Sequence, residues 1–230
     1  MKLKIVNSTV KDGNMGMKFG SPDDVIHNRT VFLNKNNINN LIKITPLYKD
    51  NIFILVDNDI KNGEIEADCI ITNVPNLFLY LYFADCIPMT LFDKQNNILA
   101  FAHMGWQSVE LNLHKKIIEK MIDEFNSNVK DIEVYLGPSI KKSSYILKTP
   151  SQLKNKDWHP FLKEVKKDYY QIDLSGYIVD SLKKLSIGNI YVSPIDTAID
   201  EEYYSHYRCT YIKPDEKEGR FIAGAMMEKN

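Results

Sequence analysis

The sequence predicts a mixed α/β or α+β fold organised on a mixed sheet, and three observations lead to that class. Short runs of β-forming residues recur through the middle of the chain: Ile52 to Val56, Ala67 to Thr72, Leu77 to Ala84 and Ile98 to Ala102. From Ser108 the apolar spacing lengthens to helical period, with Val109, Leu113, Ile117, Met121 and Phe125 on one face and Lys115, Lys116, Glu119 and Lys120 on another. Strands and helices then interleave irregularly, which points to a mixed sheet and away from a purely parallel one.

Taken in order, the first element with a clear start signal is a helix. Ser21-Pro22-Asp23-Asp24 opens it toward Leu33, through Asn28 and Arg29, with Ser as the cap and Pro at an early position where no N–H is needed. The strand from Ile52 ends in a turn at Asp57-Asn58-Asp59, with Gly63 as a hinge beyond. Ile132 to Leu136 is a strand stopped by Gly137-Pro138, and the polar stretch from Ser151 to Tyr170, holding Trp158 and His159, reads as helix and loop. Asp173 caps a helix from Leu174 to Leu185 that Gly188 ends, and Ile190 to Val192 is a strand. Phe221 to Met227 is apolar throughout, so periodicity leaves strand and helix both open. No repeat and no Pro, Gly or Ser-rich linker divides the chain, and one compact domain over residues 1–230 is expected.

Composition narrows the partners. Twenty-nine basic against thirty acidic residues leave a formal charge of −1, so no global basic field recruits nucleic acid or anionic lipid. No apolar run approaches the roughly 20 residues of a membrane span, and the polar start offers no signal peptide, so a cytoplasmic protein acting on small molecules is expected. Cys69, Cys86 and Cys209 are an odd, scattered set without a CxxC spacing, which favours reduced thiols over a disulfide framework.

Two of the apolar runs end in soft metal ligands. Leu77 to Ala84 runs into Asp85-Cys86-Ile87-Pro88, and Ile98 to Ala102 runs into His103-Met104-Gly105-Trp106. A lone buried Cys is often a small hydrophobe and a lone His often structural. Together, at strand ends where ligands collect, they form a donor set that suits zinc or copper. Asp85, a charge closing an otherwise apolar strand, joins Cys86 and His103 as a candidate catalytic group. A further alternative is a cysteine hydrolase that uses Cys86 and His103 directly, as nucleophile and base.

These segments, Ala84-Asp85-Cys86-Ile87-Pro88 and Ala102-His103-Met104-Gly105-Trp106, resemble the ordered motifs of the multicopper polyphenol oxidase (laccase) family. Leu136-Gly137-Pro138-Ser139-Ile140, Tyr203 to Arg208 and Gly219-Arg220 extend the resemblance, and Val25 to Arg29 and Ala67 to Thr72 are similar to two further stations. Members are also described as purine nucleoside phosphorylases with adenosine deaminase and methylthioadenosine phosphorylase activity. The resemblance implies an α/β/β/α layered sandwich with mixed sheets and a site of one Cys and two His, usually assigned to zinc. Cys86 and His103 match two ligands. The third comes, in the family, from a histidine just ahead of the strand at Ile52; here that stretch is Pro46-Leu47-Tyr48-Lys49-Asp50-Asn51, which holds no histidine. The slot falls on Lys49 or Asp50, and of these Asp50 could ligate through oxygen, whereas an ammonium has no lone pair to give.

The function so implied is phosphorolysis of purine nucleosides (inosine, adenosine, methylthioadenosine), with zinc-dependent deamination beside it, by a monomer or homodimer. Phosphate calls for an arginine clamp, and Arg29, Arg208 and Arg220 are the candidates in a chain whose basic residues are mostly Lys. The family's paired arginines after the serine become Tyr207-Arg208 here. Trp106 or Tyr204 would stack a purine. A member with a degenerate metal site that binds nucleoside or a partner without turnover is the alternative. Copper-dependent phenol oxidation ranks lower, because five scattered histidines cannot build several His-rich copper sites.

Overall fold

The computed structural model describes residues 1–56 and 62–229, so the turn expected at Asp57-Asn58-Asp59 lies outside the described residues. In chain order the strands are β1 (Lys2–Asn7), β2 (Leu41–Thr45), β3 (Ile52–Leu55), β4 (Asn62–Glu66), β5 (Cys69–Thr72), β6 (Phe78–Phe83), β7 (Ile87–Asp93), β8 (Ile98–Met104), β9 (Ile132–Leu136), β10 (Ile146–Lys148), β11 (Leu162–Lys166), β12 (Tyr169–Ile172), β13 (Asn189–Val192) and β14 (Phe221–Glu228). The α-helices are α1 (Pro22–Lys35), α2 (Trp106–Glu110), α3 (Leu113–Phe125) and α4 (Leu174–Lys184).

Two mixed sheets stack between helices. One has the order β1-β14-β6-β2-β4 and the other β13-β9-β7-β8-β5-β3, with a small third sheet, β10-β12-β11, beside them. Each large sheet joins antiparallel to parallel pairs, as with β14 against β6 and β2 against β6. Period-two alternation sets the layers. On β6, Phe78 and Tyr80 face Phe32 of α1, while Leu79, Leu81 and Phe83 face the second sheet. On β8, Leu99 and Phe101 face the first sheet, while Ile98, Ala100, Ala102 and Met104 pack with Leu113, Ile117 and Met121 of α3 and Ile178 and Leu182 of α4. The result is the α/β/β/α sandwich that the resemblance implies. Each buried Leu, Ile, Phe or Met among these side chains contributes about 1.5–3 kcal/mol over an exposed one.

Several element boundaries depart from the sequence expectation. The helix read from Ser108 is two helices, because Asn112 sits at φ 57 between α2 and α3, where Tyr177 Oη donates to its side chain at 3.0 Å. Gly63 is not a hinge but lies within β4. The stretch read as helix and loop from Ser151 holds two short 3₁₀ turns, then β11 and the start of β12, joined at Asp168 with φ 66. Phe221 to Met227 resolves as strand β14, inserted between β1 and β6. A Cβ at Gly224 would lie 2.5 Å from the Leu79 carbonyl oxygen, so only glycine lets β14 approach β6 this closely.

Candidate functional site

The strand before Cys86 and the strand carrying His103 are not sheet neighbours: β6 lies in the first sheet and β8 in the second. Cys86 sits on the short crossing from β6 to β7, and β7 then runs antiparallel to β8 with Ile87 opposite Met104 and Pro88 opposite His103. That register brings the Cys and the His to the same end of the sandwich. Pro88 is inside β7 opposite His103, and its carbonyl accepts the Gly137 N–H at 2.8 Å just past the end of β9. His103 shares the parity of Leu99 and Phe101 and therefore points between the sheets, where its ring lies 5.7 Å from that of Phe83.

Gly105 marks the convergence. A Cβ placed on it would be 3.1 Å from His103 Cε1 and 3.6 Å from Cys86 Sγ, so both side chains border one small space that glycine leaves open. His103 is 4% exposed and its Nδ1 has no hydrogen-bond partner among the described residues. Burial pushes its pKa down to about 4. Burial, then the Asp85 charge, pushes the Cys86 thiol up to about 12, with Arg220 opposing. At neutral pH the pair is a thiol and a neutral imidazole, not the activated pair that a cysteine hydrolase uses.

The loop that should supply a third donor turns a different residue to the site. Asp50 forms an ion pair with Lys116 of α3, and Lys49 is exposed. Tyr48 is the residue that meets His103, ring centroids 5.4 Å apart and planes at 88°. The loop is pinned by buried Asp68, whose Oδ2 accepts from the backbone N–H of Lys49 at 3.1 Å and of Asn51 at 3.3 Å, and whose carbonyl accepts the His103 N–H at 2.9 Å. A catalytic zinc takes three protein donors and keeps one position open. Cys86 and His103 are two, and among the described residues no three His, Cys, Asp or Glu side chains gather as a metal cage. The donor set does not fit the zinc or copper site that the resemblance implies.

Cys86 opens onto a cavity of about 280 Å³ walled by Trp106, Tyr145, Tyr207 and Tyr211 with Ile140, Leu147 and Leu174, and bordered by Asp85 and His206. Trp106, 40% exposed at the start of α2, offers an indole face. His206 Nδ1 lies 2.9 Å from Glu218 Oε1, which also accepts from Arg220 Nη1 at 2.8 Å. Burial pushes the Glu218 carboxyl up, and hydrogen bonds from Arg220 and His206 outweigh it, so the group stays below the usual carboxylate range. Leu147, Tyr207 and Tyr211 are shared with an adjoining groove of about 700 Å³ that carries Lys148 and Lys166.

The other candidates have partners inside the fold. Asp85 gives one oxygen to the Thr197 hydroxyl and the other to the Tyr207 backbone N–H. Arg208 is 2% exposed, paired with Glu216 and bonded to the carbonyls of Thr197 and Tyr203. Arg29 donates twice to the Met15 carbonyl and stacks 4.3 Å over Tyr82. Arg220 rests 4.1 Å over Phe19. Tyr204 lines a separate cleft beside Asn28 and Glu218. Sequence reasoning did not single out Tyr48, Tyr145 or the pairing of His206 with Glu218, and His206 itself stood out only as part of the run from Tyr203 to Arg208.

A purine nucleoside phosphorylase of Clostridium acetobutylicum is 33% identical over 152 residues, 65% of this chain and 64% of that protein's length. Another, from Rickettsia prowazekii, is 29% identical over 190 residues, 75% of this chain and 77% of its own. In structure the chain is similar to YlmD from Geobacillus stearothermophilus, with a TM-score of 0.85 at 20% identity over 99% of this chain and 92% of that one. The model of the multi-copper polyphenol oxidoreductase laccase family matches residues 5–228, in agreement with the motifs at Cys86, His103 and Arg220, and the chain belongs to that family.

Proposed function

We propose that this chain binds a purine nucleoside in the cavity beside Cys86 and cleaves its glycosidic bond with phosphate. The observation that carries this reading is the aromatic-walled cavity of about 280 Å³, at the small end of ligand sites and sized for one planar base with its sugar. The two relatives named purine nucleoside phosphorylase support it. Trp106 supplies a stacking face and Tyr145, Tyr207 and Tyr211 shape the slot. In the reaction a phosphate oxygen bonds to the anomeric carbon, the bond to the purine nitrogen breaks, and the electron pair leaves with the base, which then takes a proton. His206, oriented by Glu218, is the cavity group able to hold and deliver that proton. Lys148 and Lys166 in the adjoining groove offer positive charge for the phosphate, since the three arginines are engaged elsewhere. Deamination by a metal-bound water finds no support in a donor set that falls one short.

Incubation with inosine or adenosine and phosphate, followed by chromatography for free base and ribose 1-phosphate, tests this. Base release that needs phosphate and falls sharply in His206→Gln is expected. A second reading, nucleoside binding without turnover, is favoured by the internal partners of Arg29, Arg208 and Arg220. Saturable nucleoside binding with no base released would establish it in place of the first.

A further inference from the structure

We propose that Tyr48 stands where the family's third metal donor would be, and that this chain's Cys86–His103 pair retains neither zinc nor copper. Three observations converge on the position. Of the residues at 46–51, Tyr48 is the one whose ring packs on the His103 imidazole. The alternative oxygen donor, Asp50, is held in an ion pair by Lys116 of α3. The carboxylate of Asp68 fixes the backbone on both sides of Asp50 through Lys49 and Asn51, so the loop cannot swing Asp50 inward without losing two hydrogen bonds to a buried acid.

Tyr48 meets the imidazole as an aromatic neighbour, with the two planes almost perpendicular. The residue is 55% exposed, so it covers the site from the solvent side and does not seal a coordination sphere. What remains for a cation is one sulfur and one nitrogen, and a two-donor site competes poorly with water and cellular thiols for zinc. The backbone at position 48 adds an independent indication. Its φ of 57 is left-handed, a region costly for a bulky aromatic and several-fold enriched in histidine, asparagine and aspartate. The loop therefore has a backbone suited to histidine and a side chain that is not.

It follows that Tyr48→His should complete a three-donor site without disturbing the loop. The test is metal content by elemental analysis after incubation with zinc and desalting, alongside a cobalt(II) titration read by thiolate-to-metal charge-transfer absorption. The wild-type chain is expected to hold well under one zinc and to give no charge-transfer band. Tyr48→His is expected to hold one zinc and give the band, and adding Cys86→Ala should remove both. A wild-type chain that keeps one zinc, lost on Cys86→Ala alone, would overturn the proposal. So would a folded Tyr48→His, checked by its thermal melt, that binds no more metal than wild type. The wild-type measurement needs no variant, and neither arm uses substrate, so failure of the nucleoside reading leaves this result intact.

Discussion

Asp85 accepts the backbone N–H of Tyr207 at 2.6 Å, joining positions 122 residues apart and locking the cysteine crossing to the segment that supplies His206. The same carboxylate takes the Thr197 hydroxyl at 2.7 Å from a backbone at φ 80. Asp85→Ala removes one buried and one partly buried hydrogen bond and leaves alanine in a left-handed conformation. It should cost about 2–4 kcal/mol of stability in guanidinium unfolding. Asp85→Asn keeps one acceptor oxygen and tolerates the positive φ, so it should cost less than half as much.

Arg208 is a structural clamp on this geometry. Its Nε and Nη2 both reach Glu216, and its Nη1 donates to the Thr197 carbonyl at 2.6 Å. Lysine has the charge but not the planar fork, so Arg208→Lys should destabilise by about 3–5 kcal/mol, close to outright loss of a buried partner. Glu216 is half-buried at the surface, and Glu216→Gln should cost less in the same denaturation experiment.

Trp106 borders the cavity yet is substantially exposed, so its removal should spare the fold. A base stacked on an aromatic ring gains about 1–3 kcal/mol, and Trp106→Ala should raise the nucleoside Kd by roughly 5- to 150-fold in calorimetry. An unchanged Kd would place the base elsewhere in the cavity.

His114 gives the protein a specific acid sensitivity. Both ring nitrogens are buried without partners among the described residues, and burial, then the Lys115 charge, pushes its pKa down to about 3. An unfolded chain protonates histidine near pH ~6.5. Between that pH and about 3 the unfolded state binds a proton that the native state refuses, so stability is full above pH ~6.5 and falls as pH drops, by up to ~1.4 kcal/mol per unit. His103, pushed down to about 4 by burial, behaves alike. Unfolding midpoints of His114→Leu measured from pH 7.5 to 5 should therefore show roughly half the wild-type slope.

Much of the layered core was legible because its chemistry is local. Ile98 to Ala102 announced β8 through five consecutive apolar residues, and the spacing of Leu113, Ile117 and Met121 announced α3. Phe221 to Met227 resisted assignment for a physical reason: β14 is buried on both faces, which erases the alternation that marks a half-buried strand. β11 was missed for the opposite reason, since its residues are mostly exposed and carry no apolar face. Cys86 and His103 were visible as motif residues, but their meeting depends on the β7–β8 register. The facing of Tyr48 depends on the Asp68 clamp and a left-handed backbone, neither of which has a signature in the loop itself. The arginines failed as a phosphate clamp because sequence cannot tell a guanidinium bound to its own fold from one offered to a ligand.

The position of β14, hydrogen-bonded to β1 on one side and β6 on the other, has a consequence for how the chain comes to exist. Residues 2–7 and 78–83 are synthesised early, yet the sheet they share stays open until residues 221–228 emerge and thread between them. Such long-range pairing is slow. A nascent or truncated chain lacking that segment carries an unpaired edge on both early strands, and so is prone to stick to other copies before it can finish folding.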